Sequence, residues 1–262
     1  MAFNFNGVGI PLAVIKDDDS KNNNSIVYLH TDTDKESYTH DIKKEFEHIH
    51  LKTGNFQVIP NKNSERTVNM VIGSSGSGKT FYICNWIKEY RKIYKKNEVY
   101  LFSALKEDVS IDKIKPKRII LDDEFLQEPS DLEMYRDSVV VFDDCESLTK
   151  HLRAKVYEIM SLILTTGRHY NISVFVVSHQ PTNGNETKLI LTEAQYITYF
   201  PADMSRRLVY MLESYCGLDK KEIAKIKKLK SRWATIYRRY PKAIITEKDI
   251  MPVDSLVSDG VE

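Results

Sequence analysis

The sequence predicts an α/β fold in which helices flank a mainly parallel central sheet, with a small β-containing region ahead of it at the N-terminus. Three observations carry this expectation. Uniformly apolar, β-branched runs stand at 138–143 (SVVVFD) and 173–178 (SVFVVS), as in strands buried on both faces. Apolar residues at helical spacing lie between them, at Leu148, Leu152, Val156, Ile159 and Ile163. A glycine-rich loop joins a further apolar strand to a helix, and strands alternating with helices imply parallel pairing.

Taken in order, Val8–Lys16 reads as a strand, DDDSKNNN at 17–24 as a turn-rich loop, and Ser25–His30 as a strand pairing back. A short helix is expected around Lys35–Leu51. Val68–Ile72 is an apolar strand, and a helix follows from Lys79 to about Lys96, with Ile83, Ile87, Tyr90 and Ile93 on one face. Val99–Phe102, Arg118–Leu121 and Gln195–Phe200 are further strands. Asp203–Tyr215 and Asp219–Lys230 read as helices, Trp233–Arg238 and Ala243–Ile245 as a hairpin, and the tail from Met251 as loose. The expected organisation is an N-terminal accessory region at 1–65, a core at 66–202, and a basic helical extension at 203–262.

At 262 residues, 42% of them hydrophobic, the chain can build one large domain with additions. Cys84, Cys145 and Cys216 are odd in number and have no CxxC spacing, which suits a reducing compartment and gives no zinc site. No leader or transmembrane segment is read, and the composition points to a soluble intracellular protein. The formal net charge of +1 argues against nucleic-acid binding by bulk charge, yet Asp219–Lys242 carries ten Lys/Arg against two acids. His48-x-His50 offers metal-binding side chains without further ligand spacing.

Gly73-x4-Gly78-Lys79-Thr80 fits the P-loop pattern completely. Its residues Gly73, Ser74, Ser75, Gly76, Ser77, Gly78, Lys79, Thr80 and Phe81 are the candidate nucleotide-binding set. Backbone N–H groups and the N-terminus of the following helix would face phosphate oxygens. Lys79 would reach the β- and γ-phosphates of ATP, and the Thr80 hydroxyl would ligate Mg²⁺. The second half of such a site is an acid closing a buried strand. Asp143 would hold the metal and Asp144 would polarise the attacking water. Many hydrolytic P-loop enzymes carry glutamate at that second position, and Glu146 is a nearby competitor for the role. The acids at 122–124 read as a solvated loop.

No NKxD-type guanine reader is found, which argues against a switch GTPase. Arg168 precedes the 173–178 strand, whereas Gln180 follows it on the phosphate side. Gln180 is thus placed to orient water, and Arg168 to reach a neighbouring subunit's site.

GSSGSGKT, VVVFDD and GRHYNISVFVVSHQ together resemble the poxvirus-type DNA-packaging ATPases of large DNA viruses, within the FtsK–HerA superfamily, over about residues 66–200. The resemblance implies a RecA/FtsK–HerA-like P-loop NTPase in which Arg168 is the arginine finger and Gln180 the polar sensor. It further implies a homo-oligomeric ring that drives double-stranded DNA into a preformed viral capsid, in the host cytoplasm at the assembly site and in the virion. Lys225, Lys227 and Lys228, with Arg206 and Arg207, are the candidate DNA contacts, since a pump grips phosphates without reading sequence. Two other readings stay open: another P-loop DNA ATPase, such as a helicase loader or conjugation-type pump, and a nucleotide-dependent switch module with little turnover.

Overall fold

A computed structural model describes residues 1–31, 44–64 and 66–253. The chain divides into two compact units, Met1–Pro60 with Thr198–Glu262, and Asn61–Ile197.

The N-terminal stretch forms β1 (Ala2–Asn4), β2 (Ile10–Lys16), β3 (Ile26–His30), β4 (Ile49–His50) and β5 (Asn55–Val58). Strands β1, β3, β2 and β5 make a four-stranded antiparallel sheet in that order. The turn-rich segment at 17–24 joins β2 to β3 as expected. The helix expected at Lys35–Leu51 is corrected where it can be seen, and residues 32–43 lie outside the described residues. Phe46 exchanges two backbone hydrogen bonds with Phe3, and Ile49 pairs with Ile250. Partners far away in the chain supply these bonds, and local periodicity carries no sign of them.

In the second unit, β6 (Val68–Ile72) leads into α1 (Lys79–Ile93), followed by β7 (Val99–Ser103), the single turn α2 (Val109–Asp112) and β8 (Lys117–Ile120). Then come β9 (Val139–Phe142), α3 (Lys150–Thr166), β10 (Ser173–Ser178), α4 (Asn185–Glu193) and β11 (Tyr196–Tyr199). Strand order is β11-β6-β10-β9-β7-β8, and the pairs β6–β10, β10–β9, β9–β7 and β7–β8 are all parallel. The uniformly apolar runs occupy central positions, and every residue of β6, β9 and β10 is buried. Helix α1 packs on the sheet through Trp86, whose ring meets Phe175 of β10 edge-on at 4.9 Å. It stops at Ile93, three residues before the expected end. Asn97 Nδ2 donates to the Tyr90 hydroxyl at 2.9 Å and draws the chain into a turn. Buried Arg66 ties the entry of β6 to the end of α3 by donating to the carbonyls of Ile163 and Leu164.

The C-terminal residues add α5 (Arg206–Cys216), α6 (Lys220–Lys228), β12 (Ala234–Tyr237), β13 (Ala243–Thr246) and β14 (Asp249–Pro252). β12 and β13 form the expected hairpin. The loose tail expected from Met251 is corrected over residues 251–253, where β14 pairs with β13 and Met251 and Val253 are buried; residues 254–262 lie outside the described residues. Burial of apolar side chains such as Met251 and Val253 stabilises this end of the strand. Helix α6 begins with a capping box, in which Asp219 accepts from the Glu222 N–H and Glu222 accepts from the Asp219 N–H.

Candidate active site

β6 ends at Ile72, and the chain turns through residues 73–78 into α1. Gly73 N–H donates to the Ser178 carbonyl at 3.2 Å, which moors the loop to the end of β10. Gly76 and Gly78 have φ of 74° and 109°, a region L side chains rarely enter, so glycine is required at both positions. No side chain caps the N-terminus of α1. Its leading N–H groups and positive dipole end therefore face the loop. Lys79 is buried and donates from Nζ to the carbonyls of Gly73 at 2.8 Å and Ser74 at 2.9 Å. Ser77 Oγ is a buried polar atom with no hydrogen-bond partner.

Beside the loop opens a cleft of about 500 Å³, lined by Ser75–Gly76, Gly78–Phe81, Asp143, Asp144 and His179, a size suited to a nucleotide. Asp143 closes β9, and burial first, then the neighbouring Asp144 charge, pushes its pKa up to about 6 against the pull of Lys79. Asp144 has φ 53°, which turns its side chain off the strand direction. His179 Nε2–H donates to Asp144 Oδ1 at 2.7 Å. That bond fixes the tautomer, so the lone pair of Nδ1 faces Lys79 Nζ at 3.5 Å. Glu146 instead accepts a hydrogen bond from Ser178 Oγ and lies outside the cleft lining. Between the two acids that compete to activate water, Asp144 is the one at the cleft wall.

The uncapped helix end, with Lys79 on the cleft lining, fits phosphate. Thr80 and Asp143 are hard oxygen donors on one cleft, the ligand type Mg²⁺ takes. An Mg²⁺ ion held there would neutralise phosphate charge and offset the penalty on ionised Asp143.

Arg168 lies in the turn before β10 and is exposed, with its Nε 3.4 Å from His169 Nε2. Across Ser173–Ser178, at ~3.3 Å per residue, it stands more than about 15 Å from the phosphate loop along the strand. Gln180 is exposed at the opposite end of β10, where its N–H donates to Ser178 Oγ at 3.1 Å. Both are outside the cleft lining among the described residues.

No family model matches the chain. It is 40% identical over 198 residues to "Uncharacterized protein V3" of Sputnik virophage, covering 74% of this chain and 80% of that protein. The chain belongs to the V3 family. Among solved structures it is similar to the pCW3 conjugation coupling protein TcpA in its monomer form with ATPγS. That similarity has 13% identity and a TM-score of 0.51, and covers 91% of this chain and 77% of TcpA. It is also similar to the genome packaging NTPase B204 of Sulfolobus turreted icosahedral virus 2, with 13% identity, a TM-score of 0.47, and coverage of 70% of this chain and 98% of B204. The V3-family chain thus has the α/β fold of P-loop NTPases, with a mainly parallel central sheet flanked by helices.

Among the candidate DNA contacts, Lys225, Lys227 and Lys228 are exposed on α6, and Arg206 and Arg207 are exposed on the first turn of α5. Arg206 and Lys227 line one groove of about 270 Å³ with Tyr210 and Glu213. His48 Nε2 and His50 Nδ1 both meet Asp249 Oδ1, at 2.9 and 2.8 Å. They form a hydrogen-bonded cluster, and among the described residues no group of three His, Cys, Asp or Glu suits a metal.

Sequence reasoning missed the far wall of the cleft, formed by Cys84, Asn85, Lys88, Asp108, Ser110 and Lys113. One signal was available, since Phe81, Asn85 and Lys88 follow the loop at helical spacing and share a face. It also assigned no role to His179. No helix of the described residues is long and apolar enough to cross a membrane.

Proposed function

We propose that the protein is an ATP-driven, Mg²⁺-dependent translocase that pumps double-stranded DNA into a preformed viral capsid as a homo-oligomeric ring. It acts in the host cytoplasm at the site of assembly. The phosphate loop, buried Lys79, Asp143 and the Thr80 hydroxyl support binding of Mg-ATP. Asp144 at the cleft wall supports hydrolysis: water attacks the γ-phosphorus, the bond to the ADP oxygen breaks, and Asp144 takes the proton of the water. Lys79 stabilises charge on the transferring phosphoryl group.

The observation that carries the shared-site reading is the placement of Arg168. It is exposed at the end of β10 remote from its own phosphate loop, where it serves a neighbouring subunit as an arginine in trans. Exposed Lys225, Lys227, Lys228, Arg206 and Arg207 supply a positive surface for DNA phosphates. The virophage origin of the V3 relative accords with a viral role.

Two measurements test the proposal. The purified protein is expected to form rings, by light scattering and electron microscopy, whose ATPase rate rises with double-stranded DNA. A monomer whose rate ignores DNA overturns it. Arg168→Ala is expected to bind ATP without turnover, and mixing it with Asp143→Ala restores part of the rate. No recovery in verified mixed oligomers refutes the shared site.

A further inference from the structure

We infer that His179 is a positioning residue for the hydrolytic step, holding the Asp144 carboxylate at the cleft wall and tying it to the phosphate-binding Lys79. This role rests on the ATPase reading above and extends it to a side chain with no other assigned part in the chemistry.

Geometry carries the argument. Aspartate at position 144 is one methylene shorter than glutamate, so its carboxylate reaches less far from the backbone and depends more on what orients it. Two features do so. The left-handed backbone at φ 53° swings the side chain away from the strand direction, a conformation that is retained where surrounding structure enforces it. The His179 imidazole then fixes the carboxylate through Nε2–H at 2.7 Å. Its other nitrogen, unprotonated in that tautomer, faces the Lys79 ammonium at 3.5 Å. One ring therefore spans the cation that binds phosphate and the carboxylate that takes the proton of the water.

Parallel pairing makes this possible. Val176 of β10 lies opposite Phe142 of β9, and Ser178 lies opposite Ile72 of β6. The residue after β10 thus emerges between the acid end of β9 and the loop after β6. The His179 and Asp144 side chains are 38% and 44% exposed. A polar contact this open adds little to folding stability, so its place at the cleft points to orientation of a reacting group.

The test uses the full-length protein. His179→Ala is expected to lower kcat by roughly 10- to 100-fold, the scale of a misplaced reacting group. KM for ATP and the affinity for the non-hydrolysable analogue AMPPCP should stay within about threefold, as expected when ground-state binding is untouched. His179→Gln, whose amide can reach the Nε2 position, is expected to recover most of the rate. Because His179 acts through Asp144, His179→Ala should slow Asp144→Asn little further in single-turnover phosphate release.

Four outcomes overturn the assignment: a wild-type kcat in His179→Ala, a tenfold or greater loss of AMPPCP affinity, losses that multiply in the double variant, or a fall in Tm that accounts for the lost rate while His179→Gln gives no rescue. A wild-type protein that binds AMPPCP without hydrolysing ATP removes the ATPase reading, and this role with it. An active wild type with an indifferent His179→Ala removes this role alone.

Discussion

Replacing Asp143 by asparagine should stabilise the nucleotide-free protein while abolishing its chemistry, and the stabilisation should grow with pH. The Asp143 carboxyl titrates near 6 rather than at the ordinary 3.8, chiefly because it is buried and secondly because Asp144 lies beside it. The folded state therefore holds this proton more tightly than the unfolded chain. Below about pH 4 both states are protonated and the residue is neutral in its effect. As pH rises through 4 to 6 the unfolded chain ionises first, and folding stability is lost over that window. At ~1.4 kcal/mol per pH unit, the penalty comes to about 3 kcal/mol at pH 8 and about half that at pH 5. Asparagine keeps the shape and never carries the charge. In metal-free buffer, thermal unfolding should show Asp143→Asn above wild type at pH 8 by roughly 6–12 °C, using the ~2–4 °C per kcal/mol of chains this size. The gap should narrow at pH 5. With Mg-ATP the order should reverse, since only the carboxylate can hold the metal. An equal gap at both pH values, or a less stable asparagine variant at pH 8, refutes the reasoning.

Lys79→Ala should reduce ATP affinity by at least tenfold and leave no measurable hydrolysis, because it removes the buried cation at the phosphate loop; calorimetry with AMPPCP and phosphate release check both. Trp86→Ala should destabilise the protein by about 3–5 kcal/mol, as the ring is fully buried against Phe175; chemical denaturation measures it. Replacing Lys225, Lys227 and Lys228 together by alanine should weaken double-stranded DNA binding for all sequences alike. The slope of log affinity against log salt should fall by up to about 3, near 0.9 per lost phosphate contact. An unchanged slope in a fluorescence titration would place the DNA grip elsewhere.

The parts of the fold that were legible in sequence are those whose causes lie within a few residues. The phosphate loop declares itself because Gly76 and Gly78 must adopt positive φ and Lys79 must follow directly. The buried strands β9 and β10 declare themselves through unbroken β-branched runs, and α3 through its spacing. Failures fell where a distant partner decides. Ile49–His50 becomes strand because β14 lies beside it, and Met251 enters the core because β13 and β4 flank it. Sequence placed His48 and His50 as a loose pair, and only pairing brought Asp249 to both.

The phosphate loop, the acid closing a buried strand and the alternation of strand and helix are all legible in contiguous residues, because local spacing and backbone conformation are local properties. Which side chains share the cleft with Lys79 depends instead on how the strands are ordered in the folded sheet. The strand order β6-β10-β9 brings Asp144 and His179, 35 residues apart in the chain, to a 2.7 Å hydrogen bond, and it leaves Arg168 at the far end of the same strand. Strand order is a non-local choice, set by which apolar faces can be buried together, and no stretch of the sequence contains it.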